Sequence, residues 1–137
     1  MKPIPTGQPS ARPRAAFSLV EVLAAITIIG IITFLAVPNI VRVKQDSEDN
    51  LARARAEAIN MAIAAYVQAV GTNAAQSGWS AAGSDSARYL LVRQYIAFSE
   101  SSLSLFTPGG YTNTLPSTIS PLTTKVTVSG PSGAISY

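Results

Sequence analysis

The sequence predicts an α+β chain: one long N-terminal α-helix, with a membrane-type apolar half and an amphipathic half, packed by a small C-terminal domain with a second helix and a short β-hairpin. Three observations predict it. Residues 17–37 form an apolar run interrupted by a single charge, Glu21. Residues 39–70 lack glycine and proline and change to a helical period. Residues 125–129 (KVTVS) alternate with period two and are followed by a Gly-Pro-Ser-Gly turn and residues 134–137, the pattern of a terminal hairpin.

Residues 1–16 hold four prolines, Pro3, Pro5, Pro9 and Pro13, and almost no bulky apolar side chains. They bury too little to offset the entropy of ordering, so a disordered, detachable basic leader is expected. The run that follows, 17–37, would make a helix of about 32 Å, long enough to cross a bilayer core. A secretory signal has a shorter apolar core, roughly 7–15 residues, with its small-residue cleavage site after that core. Here Ala15 and Ala16 precede the run, so a cut at this place leaves the hydrophobic segment on the mature chain. Pro38 lacks an amide hydrogen and its ring crowds the carbonyl of Phe34, so the helix is expected to kink or loosen there, with Gly30 as a second weak point.

Residues 39–70 continue the helix, giving one element over about 17–70, roughly 80 Å long. Arg42, Asp46, Asp49, Arg53, Glu57 and Asn60 form a polar stripe, with Asp49 and Arg53 in the favourable acid-first order. Ile59, Ile63, Tyr66, Val67 and Val70 form an apolar stripe, and eight alanines between positions 51 and 70 add helix propensity. The remaining residues, 71–137, are too few to hold a core alone and should cover that stripe. Within them, 71–83 is rich in Gly, Ala, Ser and Asn and is expected to be a loop. A helix over 85–98, capped by Ser84, would carry Ala87, Leu90, Leu91, Tyr95 and Phe98 on one face. Residues 107–121 contain Pro108, Gly109, Gly110, Pro116 and Pro121 and predict an irregular surface loop.

The net charge of +3 comes from Lys2, Arg12 and Arg14, and the seven basic and seven acidic side chains after residue 16 balance. A polyanionic partner is therefore not indicated, and Arg53 and Arg55 near Tyr66 are too little to predict specific nucleic-acid binding. Cysteine and histidine are both absent, which removes thiolate and imidazole from any catalytic or metal site. The carboxylates between 42 and 57 have arginines on the same face, the composition of a solvated, salt-bridged surface rather than a cation site. No nucleophile elbow or Ser-x-x-Lys motif accompanies the serines. No catalytic residue, metal or cofactor is expected, and the chain does not read as an enzyme.

A carboxylate within an apolar span costs about 2.5–3.5 kcal/mol at mid-helix and less near the end. The residues around Glu21 give it a context. The junction Ala16 followed by Phe17-Ser18-Leu19-Val20-Glu21 resembles the class III leader junction of type IV pilins and type II secretion pseudopilins, with Glu21 fifth and Pro38 twenty-second from Phe17. The family usually has glycine before the cut; Ala16 departs from it but is small enough for cleavage to be expected. The resemblance covers about 12–65 and does not reach the C-terminal domain.

That resemblance implies a pilin-like fold and a prepilin peptidase that cuts between Ala16 and Phe17 and methylates the new Phe17 amino group. It implies a pairing of that cation with Glu21 of a neighbouring subunit, and unwinding between Gly30 and Pro38 as the subunit leaves the bilayer. The partners it implies are identical or homologous pilin subunits in a helical filament, the peptidase, an inner-membrane assembly platform and, before assembly, the membrane. The chain would first cross the inner membrane once and later join an extracellular or periplasmic filament. Positive charges do not fix orientation, because Arg42, Lys44, Arg53 and Arg55 face the leader's three. Alternatives stay open: pilus or pseudopilus, body subunit or minor tip pilin, or a membrane-anchored binding or adhesive module using 107–121. In an ordinary signal anchor Glu21 would merely snorkel and Pro38 would mark the membrane exit.

Overall fold

A computed structural model describes residues 17–137; the expected leader, 1–16 with Ala16, lies outside the described residues. The chain divides into two units, Met1–Ile40 and Val41–Tyr137, each described by itself below. Helix α1, Leu19–Val70, contributes to both.

In the first unit the helical assignment runs through Gly30 and Pro38 without interruption. Pro38 offers no N–H to the carbonyl of Phe34, and one residue on, the side-chain amide of Asn39 reaches the Leu35 carbonyl at 3.5 Å. Thr27 likewise returns its hydroxyl to Leu23 O at 2.7 Å. Its apolar side chains are almost all exposed.

The second unit is built on the C-terminal part of α1. Ala52, Ala56, Ile59, Ala62, Ile63 and Tyr66 are buried, a seam at helical spacing in which alanines let neighbouring elements approach closely. The expected stripe is present through Val67, which packs partly buried against the core, whereas Val70 at its end is exposed.

Residues 71–83 are not a loop. Helix α2, Thr72–Ala82, occupies them, bracketed by Gly71 at φ 88° and Gly83 at φ 65°. Composition misled because tertiary packing outweighs local propensity. Ala75 and Trp79 are fully buried, and the Trp79 indole N–H donates to the Pro116 carbonyl at 2.7 Å. Gly78 sits under Tyr66, where a Cβ would lie 2.9 Å from the phenol oxygen. Helix α3, Asp85–Val92, is shorter than expected and tightens into a 3₁₀ turn at Arg93–Tyr95. Ser84 caps it as predicted, accepting from Ala87 N at 3.3 Å. Its buried face is Tyr89, Val92 and then Ile96; Leu90 and Phe98 are exposed. Of the expected face, Leu91 and Tyr95 pack against the core while Leu90 and Phe98 do not, because the buried centre of the helix lies at Tyr89 and Val92.

The stretch 107–121 is also more ordered than an irregular surface loop. A short helix α4, Leu103–Phe106, leads into strand β1, Thr112–Thr114, and Tyr111, Leu115 and Ile119 are buried. Its prolines and glycines mark turns between anchored side chains. Strand β1 pairs antiparallel with β2, Thr127–Gly130, opposing Asn113 to Val128. The expected hairpin is β2 with β3, Gly133–Ile135, closed at the Gly130–Gly133 pair.

The polar stripe of α1 stays solvated at Arg42, Asp46 and Glu57, while Asp49 and Asn60, with Gln45 and Arg55 beside the stripe, bond to distant segments. Asp49 does not turn to Arg53: it accepts from the Tyr111 hydroxyl at 2.6 Å, while Arg53 donates to Asn50 at 3.0 Å. Arg55 donates to the Phe106 carbonyl and lies 5.5 Å over the Phe106 ring. Asn60 accepts from Val126 N at 2.9 Å, and Gln45 donates to Ser132. These partners lie 51 to 87 residues away in the chain, a distance at which helical spacing alone carries no information. Surface pairs such as Lys44–Glu48 at 3.6 Å add little stability.

Candidate functional site at the start of the first helix

Local chemistry decides how α1 begins. Its first N–H groups have no partners within the helix and need acceptors from outside it. Ser18 supplies one: its Oγ accepts from Val20 N at 3.3 Å, and its carbonyl accepts from Val22 N at 3.2 Å to open the helical ladder. Glu21 supplies another, its Oε2 accepting from Ser18 N at 2.9 Å. A Ser at the N-cap answered by a Glu three residues on has the spacing of a capping box, with the hydroxyl here serving the second helical residue instead of the third. The Ser-x-x-Glu pattern was present in the sequence as a helix-start signal, but the membrane context drew attention to the charge alone.

The carboxylate therefore has two functions available at once. Oε2 closes the cap, while Oε1 has no hydrogen-bond partner among the described residues. It also stands at the positive end of a long helix dipole, which favours a negative charge there. A cation approaching from outside the chain meets an acceptor already held in one place. Phe17, whose backbone nitrogen a cut after Ala16 would turn into an amine, is 88% exposed and open to such an approach.

The surface around this point is apolar and uncovered. The most hydrophobic 18-residue window of α1 has a mean hydropathy of 2.5 and is 0% buried. By length and composition α1 can cross a membrane. Exposed apolar patches beyond a few hundred Å² on a soluble monomer mark an interaction site, and here the whole span is one. At Gly30 an added Cβ would meet nothing within 4 Å, so packing inside the chain does not require glycine there.

Elsewhere the described residues offer no group of three or more His, Cys, Asp or Glu able to hold a metal. A hollow of about 350 Å³ lies beside residues 107–113, with Ser86, Ser104 and Asn113 among its walls. Asn113 donates to Thr107 at 2.9 Å, and its Oδ1 is buried without a partner. Tyr111 is pushed up to about 12, chiefly because its proton is held by Asp49, and burial raises Tyr89 and Tyr137. These tyrosines are structural: the hydroxyls of Tyr111 and Tyr137 bond to Asp49 and Asn60 of α1, and that of Tyr89 to the Glu100 carbonyl.

Residues 11–37 match the family model described as a prokaryotic N-terminal methylation motif. The matched segment contains Ala16, Phe17, Glu21 and Gly30 and ends one residue before Pro38. The chain thus carries a class III prepilin-type N terminus on a long apolar helix. No curated protein and no solved structure matches the chain at a significant level.

Proposed function

We propose that the chain is a structural subunit of a type IV pilus or type II secretion pseudopilus. The peptidase cuts between Ala16 and Phe17 and methylates the Phe17 amino group. The apolar half of α1 first holds the subunit in the inner membrane and then lies in the core of the filament. The observation that carries this reading is coincidence: the methylation motif falls on the same helix whose most hydrophobic 18-residue window is 0% buried.

Glu21 supplies the register. A carboxylate and an ammonium about 4 Å apart attract by roughly 4 kcal/mol at an effective dielectric near 20, before desolvation is subtracted. Among the described residues the cap uses Oε2 alone, so the helix start need not melt when a neighbour's cation meets Oε1. A subunit added out of step would bury both charges alone. Gly30 and Pro38 supply a place where the helix can give way as the subunit is extracted, since Pro38 removes one helical bond and Gly30 lowers the cost of other backbone angles. A filament structure with unbroken helical bonds from Phe17 to Asn39 sinks that part of the proposal.

The test of the whole is genetic. In cells lacking the prepilin peptidase, the chain should stay at precursor length in the membrane fraction and be missing from sheared or periplasmic filaments. Filaments containing uncut precursor would contradict the proposal. One observation favours a second reading, a tethered binding module: the hollow beside 107–113 with its unpartnered Asn113 oxygen. Under that reading the chain is never found in filaments.

A further inference from the structure

Phe98 is the most exposed large apolar side chain among the described residues, at 99%. Its φ is 58°, a left-handed conformation that a bulky residue adopts only where the surrounding chain imposes it. No described residue covers the ring. It stands at the rim of a shallow hollow over Ala54, Arg55 and Ala58 of α1. A strained, displayed aromatic is the form of an interface anchor before its partner arrives.

A complementary feature lies elsewhere on the same unit. Asn60, Ile63 and Ala64 of α1 and the segment 122–125 line a hollow of about 270 Å³, beside which Leu122 is half exposed. At about 100° per residue, positions 54, 55 and 58 and positions 60, 63 and 64 point to opposite sides of α1, about 180° apart. Knob and hollow therefore cannot meet within one chain, nor face each other across a two-fold axis. They suit a heterologous contact, the kind that propagates into an open helical array. Charge agrees with shape. Glu100, two residues beyond Phe98, is exposed, and Lys125 in the hollow has a side chain 62% exposed, with Glu57 at 4.0 Å and the Tyr137 ring centroid at 5.4 Å.

We propose that Phe98 of one copy seats in the Leu122 hollow of the next, with Glu100 against Lys125, and that this contact joins the globular units along the filament. The proposal rests on the filament reading and deepens it. Knob and hollow are centred about seven residues apart on α1, so copies with parallel helices are displaced by about 10 Å along the helix axis.

The chain contains no cysteine, which makes crosslinking direct. The full-length double variant Phe98→Cys/Leu122→Cys is made in the native host, and its filament fraction is oxidised with copper phenanthroline. A ladder of dimers, trimers and longer species is expected, with each single variant remaining monomeric. Dimers from either single variant would overturn the proposal, because they require a symmetric contact. Filaments that form normally but give no ladder would overturn this contact while leaving the filament reading standing. If the unaltered chain makes no filaments and the double variant no ladder, the reading itself falls, and the contact with it. As an independent arm, Glu100→Lys and Lys125→Glu should each lower filament yield and the double swap should restore it; failure to restore counts against the pairing.

Discussion

Replacing Glu21 by glutamine separates the two things its carboxylate can do. Glutamine keeps an oxygen that can accept from Ser18 N, a bond now 2.9 Å long, and the capping-box pattern admits either residue. What the helix start loses is the charge–dipole attraction, about 0.3–1 kcal/mol. Insertion into the membrane becomes easier, because a charge is removed from an apolar span. Assembly is where the loss is large. In the proposed filament the attraction of roughly 4 kcal/mol would disappear, and the neighbour's ammonium would be left alone in an apolar core. Even about 3 kcal/mol net corresponds to more than a hundredfold weaker subunit addition, at 1.4 kcal/mol per factor of ten. Glu21→Gln should therefore reach the membrane and be cleaved at the normal rate, yet be nearly absent from filaments, as read by immunoblots of membrane and sheared fractions. Glu21→Asp, with the charge but a shorter reach, should fall between. Filaments at the normal yield with glutamine would refute the reasoning and leave Glu21 a helix cap only.

Three further outcomes concern the second unit. Trp79→Ala should destabilise it by about 3–5 kcal/mol, since a fully buried ring and its bond to Pro116 O are lost together; a urea melt of the full chain in micelles, followed by tyrosine near-UV dichroism, measures this. Gly130→Ala would put a Cβ 2.6 Å from Cε1 of Tyr111, and the overpacking should cost about 1–3 kcal/mol and speed hydrogen exchange along β2. Tyr111 titrates near 12 in the folded chain against 10.0 ordinarily, because Asp49 holds its proton. Above pH 10 the unfolded chain binds fewer protons than the folded one, so this contribution is complete below pH 10 and is lost as pH rises through about 12. Tyr89 and Tyr137 shift the same way through burial, so Tyr111→Phe should make the alkaline loss of stability shallower without abolishing it.

Periodicity and spacing were enough for the long helix, the Ser84 cap and the C-terminal hairpin, because each depends on residues a few positions apart. Phe17 and Glu21 lie within the matched segment 11–37, and their spacing in it is a matter of counting. What sequence could not give was the outcome of competition between distant residues. Residues 71–83 have the composition of a loop, yet they form a helix that buries Ala75 and Trp79 and is tied to Pro116, Ile119 and Ser120. Asp49 has a suitable local partner in Arg53 and bonds instead to Tyr111, 62 residues away. The glycines and prolines of 107–121 announced turns correctly, but said nothing of Tyr111, Leu115 and Ile119 anchored between them. At the site itself the missed feature was local: Ser18 and Glu21 form a capping pair that was legible as Ser-x-x-Glu.

The central claim is that the functional N terminus is created at Phe17. Mass spectrometry of the chain recovered from its native host tests it most directly. The account predicts a chain that begins at Phe17, carries a methyl group on that nitrogen and has lost residues 1–16. A recovered chain that still begins at Met1 or Lys2, or begins at Phe17 with an unmodified amine in assembled filaments, would contradict it.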